Sequence, residues 1–470
     1  MISILGRCGL VNASRLKNLR FATWIFAWCA MATIVAAKAD VQQQIAAGVN
    51  RPTASSAKPA SAESTATAVH EAAKRLLAAD RIADARSMLT GHAEQQNDSI
   101  DVEVKIASLL FEIGKPKDGL RVLEAHAVQG HNPFEIHLAY ARIAANETRW
   151  ADADAHLHMV LASSPPSQWS EDFERQQKAA VVRLIAEVAS ARGDWKRAAE
   201  SWTRFLKVRS DDREARLQYA AAIFRLGQHQ DAYRELQTIR GASPQPEAFL
   251  PELRMARWFE SATDLERAEK WYRQALSENA AVEVRCELAR FLVDRNRPAE
   301  AMGCSKDSPA SVDQPANVSS SSFPTQPDCF VLVVGLASRM LGRWDDAEAA
   351  LREMRSRQPG NALVTSHLSL VLIEQKDPNK RQEALRLASQ TVATAANSTS
   401  LTALGWVKAK LGDLATAEAL LTQAMATGVE VPRDAAWYLA DVKRKLGKDN
   451  EADTLEDFSR RAVGPEFHRR

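Results

Sequence analysis

Residues 213–244 read REARLQYAAAIFRLGQHQDAYRELQTIRGASP. Tyr219 and Ala220 are followed by Gly227, then Ala232, Leu236 and Pro244, and the stretch from Cys329 to Pro359 repeats this order with Val334, Gly335, Gly342, Ala347, Leu351 and Pro359. Apolar residues at helical spacing on both sides of a glycine mark two amphipathic helices joined by a short turn. Two antiparallel helices can lie close together only where no bulky side chain holds their backbones apart. Ala220 and Ala232, or Gly335 and Ala347, therefore mark the crossing of one helix over its partner.

Outward from these two stretches the same small residues recur at about 34-residue intervals: Ala73, Ala107, Ala141, Ala186, Ala220, Ala256, Ala289, Gly335, Ser369, Gly405 and Ala440. A second row accompanies them: Ala85, Gly119, Ala153, Ala198, Ala232, Ala268, Ala301, Ala347, Ala384, Ala417 and Ala452. A 34-residue period is that of helix pairs stacked into a solenoid. The fold expected is all-α, an α-solenoid of about eleven stacked helix-turn-helix repeats. Spacing widens twice, across 163–178 and across the Ser- and Pro-rich segment 303–328. The first widening predicts a loop or short helix carrying Trp169 and Phe173, and the second a flexible insert behind a helix cut off at Gly303. A smaller irregularity at Asp377-Pro378-Asn379 is expected to lengthen one turn.

The pattern resembles the tetratricopeptide repeat over about residues 66–462. It departs from that family in mostly lacking the early tryptophan of the first helix and in placing Asp80 where glycine is usual. The resemblance implies a right-handed solenoid whose first helices build a concave wall along which partners lie. It divides the array into 66–302 and 329–462, with a polar tail over 463–470. The family's inward positions would place Arg142, Arg183, Arg225, Arg257, Arg290 and Arg339 on that wall among Glu187, Glu260 and Asp294. Arginine's planar fork suits carboxylates, so the wall could hold an acidic segment or a polypeptide C-terminus; alternatively its charges pair among themselves. Trp406 and Trp437 would take inward positions too, as partner anchors or as residues covered by the next helix.

Residues 1–39 carry Arg7, Arg15, Lys17 and Arg20 before an uncharged, mostly apolar run from Phe21 to Ala37. This is the layout of a signal peptide, or of an N-terminal membrane anchor if it stays uncleaved. Residues 40–65, rich in Ala, Ser, Thr and Gln, read as a disordered tether. Export would leave Cys286, Cys304 and Cys329 in an oxidising compartment, where a Cys304–Cys329 bridge and three unpaired thiols are the alternatives.

A formal charge of +2 over 470 residues leaves no footprint for nucleic acid. No phosphate-binding glycine loop, HExxH, GxSxG or paired CxxC occurs. His126, His131, His137, His156 and His158 cluster in sequence, but His156 and His158 stand two apart and do not share a helical face. No metal or cofactor is expected. The function expected is that of an exported, non-enzymatic scaffold, periplasmic or secreted, binding protein or peptide partners along a groove in a secretion or polysaccharide-export assembly of the envelope. A membrane-anchored spacer and an accessory protein that binds carbohydrate chains are the alternatives.

Overall fold

A computed structural model describes residues 62–96, 100–242, 249–306, 327–427, 433–462 and 464–467. The leader expected over 1–39, the tether up to residue 61, Pro244 and residues 307–326 of the insert lie outside the described residues. Among those described there are helices and no strands, and no helix is long and apolar enough to cross a membrane.

The helices pair into successive hairpins in two compact units, Met1–Pro251 and Glu252–Arg470. In the first unit these are α1 (Ala62–Ala78) with α2 (Ile82–Gln96), α3 (Val102–Glu112) with α4 (Pro116–Val128), and α5 (Pro133–Asn146) with α6 (Trp150–Ala162). They continue with α7 (Glu171–Ala191) and α8 (Trp195–Val208), then α9 (Arg213–Arg225) and α10 (His229–Gly241). The second unit has α11 (Pro251–Ser261) with α12 (Leu265–Glu278), α13 (Val282–Asp294) with α14 (Pro298–Lys306), and α15 (Asp328–Met340) with α16 (Trp344–Arg357). There follow α17 (Ala362–Glu374) with α18 (Pro378–Thr394), α19 (Ser398–Lys410) with α20 (Leu414–Ala426), and α21 (Arg433–Lys445) with α22 (Asp449–Arg461). The eleven hairpins among the described residues correspond to the eleven periods of small residues, and the architecture is an α-solenoid.

Why the chain turns where it does is visible in the α9–α10 hairpin. Asp212 caps α9 by accepting from the Ala215 N–H at 2.9 Å. Gly227 leaves the helix at φ 83°, which lets the Gln228 N–H reach back to the Ile223 carbonyl at 3.0 Å. Ten hairpins among the described residues close with that backbone bond, but only six place glycine at the left-handed position. Asp80, Thr148, Thr263 and Asn296 adopt the same conformation at φ 58–60° in the others, so the missing glycine of the first repeat changes the residue and keeps the turn.

The alanines of both rows are fully buried. At Gly335 a Cβ would lie 2.9 Å from the Leu351 Cγ, so the leucine one turn beyond the second small residue fills the space left by the first. Stacking buries the remaining apolar faces, as in the cluster joining Phe134, Leu138, Leu157, Trp169 and Val181.

Five expectations about the irregular segments are corrected. The widening at 163–178 makes no separate short helix: its later residues extend α7 to 21 residues, and Trp169 packs edge-on to Phe134 and Phe173 at 5.5 and 5.0 Å. The added residues near Asp377 wind into an extra first turn of α18, capped by Asp377, because Pro at the first helical position fits that turn. Gly303 does not stop its helix, which runs on to Lys306, and residues 62–65 open α1. Cys329 is bridged to Cys286, not to Cys304: neighbouring first helices α13 and α15 pack together and bring the two Cα atoms to 5.8 Å, while Cys304 stands near the end of α14 outside the bridge.

Candidate partner-binding wall

First helices pack against first helices in both units: α1, α3, α5 and α7 in sequence in the first, and α13, α15, α17, α19 and α21 in the second. They form one wall of each stack. In the first unit Arg142 donates to the Gln177 Oε1 at 3.1 Å. Arg183 pairs with Glu187 at 2.8 Å and approaches Asp212 at 3.7 Å, and Arg225 lies 5.8 Å over the Trp195 ring.

In the second unit Arg257 donates to Glu287 at 3.0 Å. Arg290 holds Glu260 at 2.8 Å and Asp294 at 2.9 Å. Burial opposes its charge, but these carboxylates and the Tyr272 hydroxyl raise its pKa above the ordinary arginine value. Most arginines named from the sequence thus already hold a carboxylate on their own or a neighbouring first helix.

Arg339 is arranged differently. It stands one helical turn beyond Gly335 on α15 and is only 3% exposed. Its Nη1 donates to the His367 Nδ1 on α17 at 2.6 Å. Its Nη2 reaches the Tyr438 hydroxyl at 2.8 Å and the Asp434 Oδ2 at 3.3 Å, both on α21. One guanidinium therefore joins three first helices. Burial, then the neighbouring Arg339 charge, holds His367 well below the ordinary histidine pKa and so keeps it a neutral acceptor.

The end of the chain lies across this nexus. The Gly464 carbonyl accepts from Asn296 Nδ2 and from Arg433 Nη1, each at 3.3 Å. The Glu466 N–H donates to the Asn296 Oδ1 at 2.5 Å, and its buried carboxylate pairs with Arg433. The Phe467 N–H donates to the Asp434 Oδ1 at 3.3 Å. The Phe467 ring lies 4.3 Å from the Arg339 guanidinium and 5.1 Å from the His367 ring. Residues 464–467, expected to belong to a polar tail, are thus packed against first helices; residues 468–470 lie outside the described residues.

Trp406 is corrected as an anchor. It is 3% exposed, donates to the Glu374 Oε1 at 2.7 Å, and stacks on Tyr438 at 4.1 Å beneath Lys410 and Lys445. Trp437 is partly buried and meets Trp406 edge-on at 5.9 Å. The pair supports the back of the Arg339 nexus.

Four of the five clustered histidines form two pairs. His126 and His131 stack at 3.8 Å beside Asp101, whose Oδ2 is 3.2 Å from the His126 Nε2. The ligand atoms of these three residues lie within 4.8 Å of one another. Stacked imidazoles hold their lone pairs in near-parallel planes that do not meet, so in this arrangement the two rings do not converge on one ion. His137 and His156 share a hydrogen bond between their Nδ1 atoms at 3.1 Å.

Asn296, His367, Arg433, Asp434, Tyr438, Glu466 and Phe467 were not picked out from the sequence. Their common place depends on packing between repeats, and four residues at the end of a chain carry no period.

Residues 183–245 match the family described as Tetratricopeptide repeat, a stretch that holds both left-handed turns at Gly193 and Gly227 and the complete α9–α10 hairpin. Residues 183–245 carry tetratricopeptide repeats. Solved structures similar to this chain include a tetratricopeptide repeat protein from Parabacteroides merdae, at 14% identity over 57% of this chain and 99% of that one, with a TM-score of 0.37. The type IV pilus biogenesis factor PilW is 22% identical over 46% of this chain and 93% of its own, with a TM-score of 0.34. Yeast Tom70 is 13% identical over 85% and 92%, with a TM-score of 0.33. Comparison with curated proteins gives no match. Tetratricopeptide repeats are typically non-enzymatic scaffolds for protein–protein interaction.

Proposed function

We propose that this chain is an exported, non-enzymatic scaffold that holds extended polypeptide segments, acidic ones among them, against its first-helix wall in an assembly of the cell envelope. The observation that carries the reading is the second unit's hold on residues 464–467, whose Gly464 carbonyl accepts from Asn296 and Arg433 and whose Glu466 and Phe467 N–H groups donate to Asn296 and Asp434. Such bonds recognise an extended chain whatever its sequence, and the flanking side chains add selectivity. Export is supported by the charged and apolar character of residues 1–39 and by the Cys286–Cys329 bridge, which persists in oxidising compartments.

A photo-crosslinking amino acid placed at Arg183 or Arg257 on the wall, and at Arg204 or Arg234 on second helices, tests the site in cells. Protein adducts should form from the wall positions and not from the others; adducts from second helices alone would overturn the reading. N-terminal sequencing of the chain recovered from the envelope fraction should begin at Asp40, and recovery in the cytoplasm with residues 1–39 intact would refute export.

A further inference from the structure

We infer that Glu466 and Phe467 are a built-in occupant of the second unit's wall, and that the partner bound there is a polypeptide carrying a carboxylate side chain immediately followed by an aromatic one. This rests on the wall being a protein-binding site and adds the chemistry of what it takes. Arg433 is an almost fully buried cation whose pairing with Glu466 selects an acidic residue. One residue on, the Arg339 guanidinium is held by His367, Tyr438 and Asp434 and turns a face toward the Phe467 ring, which selects an aromatic by the attraction of a cation to a π-face. Asn296 and Asp434 between them take the two successive N–H groups and fix the register of the pair.

The occupant is covalently attached, so a partner of the same chemistry competes with a tail present at an effective concentration in the millimolar range. The wall in this arrangement is closed to weak ligands and opens to a segment that offers the same two side chains with more contacts on either side. The tail sets a threshold for binding.

The probe is a labelled, end-blocked peptide of residues 462–467, Ala-Val-Gly-Pro-Glu-Phe. The chain carrying Glu466→Ala and Phe467→Ala should bind it at least about tenfold more tightly than the unaltered chain, because the tethered competitor is gone. Peptides with either alanine substitution should lose about tenfold in affinity for that variant. Equal affinity for the two chains, or no binding to a variant of unchanged helicity, overturns the inference. If the double variant loses helicity, hydrogen exchange on the unaltered chain replaces it. There about 5 mM peptide should remove protection from the Glu466 and Phe467 amides, and unchanged protection overturns the inference. Should the peptide fail while crosslinking from Arg257 still captures proteins, this inference falls and the wall's general role stands.

Discussion

Gly405 faces Leu421 so closely that a Cβ on the glycine would lie 2.7 Å from the leucine Cγ, inside any normal contact. Leu421 is fully buried and Leu420 closes the space from the side at 3.4 Å, so the leucine has little room to retreat. Gly405→Ala should therefore destabilise the second unit by about 1–2 kcal/mol, overpacking outweighing the better helix propensity of alanine. Gly91, within α2, has nothing within 4 Å of a Cβ, and Gly91→Ala should stabilise by about 0.5–1 kcal/mol. Urea denaturation of both variants checks the contrast, which disappears if the small residues serve only helix propensity.

Thr148 and Thr263 hold the left-handed turn position at φ 60°, a conformation that a β-branched residue adopts at a cost. Thr148→Gly and Thr263→Gly should each raise stability by up to about 1 kcal/mol, whereas Gly227→Ala should lower it by about as much. Thermal unfolding reads both directions; destabilisation by either threonine replacement would mean that its side chain contributes more than the turn conformation costs.

The Cys286–Cys329 bridge closes a sequence separation of 43 residues. A chain starting at Asp40, denatured without reductant, should show one titratable thiol, that of Cys304, and three after reduction. Replacing Cys286 and Cys329 by serine should cost about 2–4 kcal/mol, and Cys304→Ser should leave the bridge intact. Three thiols before reduction would rule the bridge out.

Glu135, at the start of α5, is buried and accepts from the Asp101 N–H at 3.2 Å. Burial, reinforced by the Asp101 charge, pushes its pKa up to about 7. Its folded value exceeds its unfolded one, so its contribution is favourable below about pH 4.5 and is lost as pH rises through 7. Glu135→Gln keeps the acceptor oxygen and should become more stabilising between pH 5 and 8, by about 2 kcal/mol. His126, His137 and His156, lowered chiefly by burial, have the opposite slope: stability falls as pH drops below 6.5. Comparing the variant with the unaltered chain at each pH separates the two; a pH-independent difference would mean that Glu135 stays ionised.

The small residues and turn glycines were legible because each repeat satisfies the same local rule, closeness at Ala220 against Ala232 and reversal at Gly227. Asp80 and Thr148 obey it with the wrong residue, which only the backbone angle reveals. The bridge was misread because Cys304 and Cys329 flank one loop, whereas Cys286 reaches Cys329 by stacking of successive first helices. Trp406 lies on a first helix, where Tyr438 and two lysines cover it, and register does not decide between an anchor and a covered residue. The site at Arg339 needs residues from four hairpins and the chain end, a combination that no spacing along the sequence records.

Gly464–Phe467 also bears on how the protein is handled at the bench. An affinity tag or reporter fused after Arg470 is separated from Phe467 by only three residues, so it hangs from a segment seated against the second unit. A C-terminal fusion and one joined ahead of the repeats are therefore different reagents. They should recover different sets of proteins from the same cells, and an interaction seen with only one of them is informative about which end of the chain was left in its place.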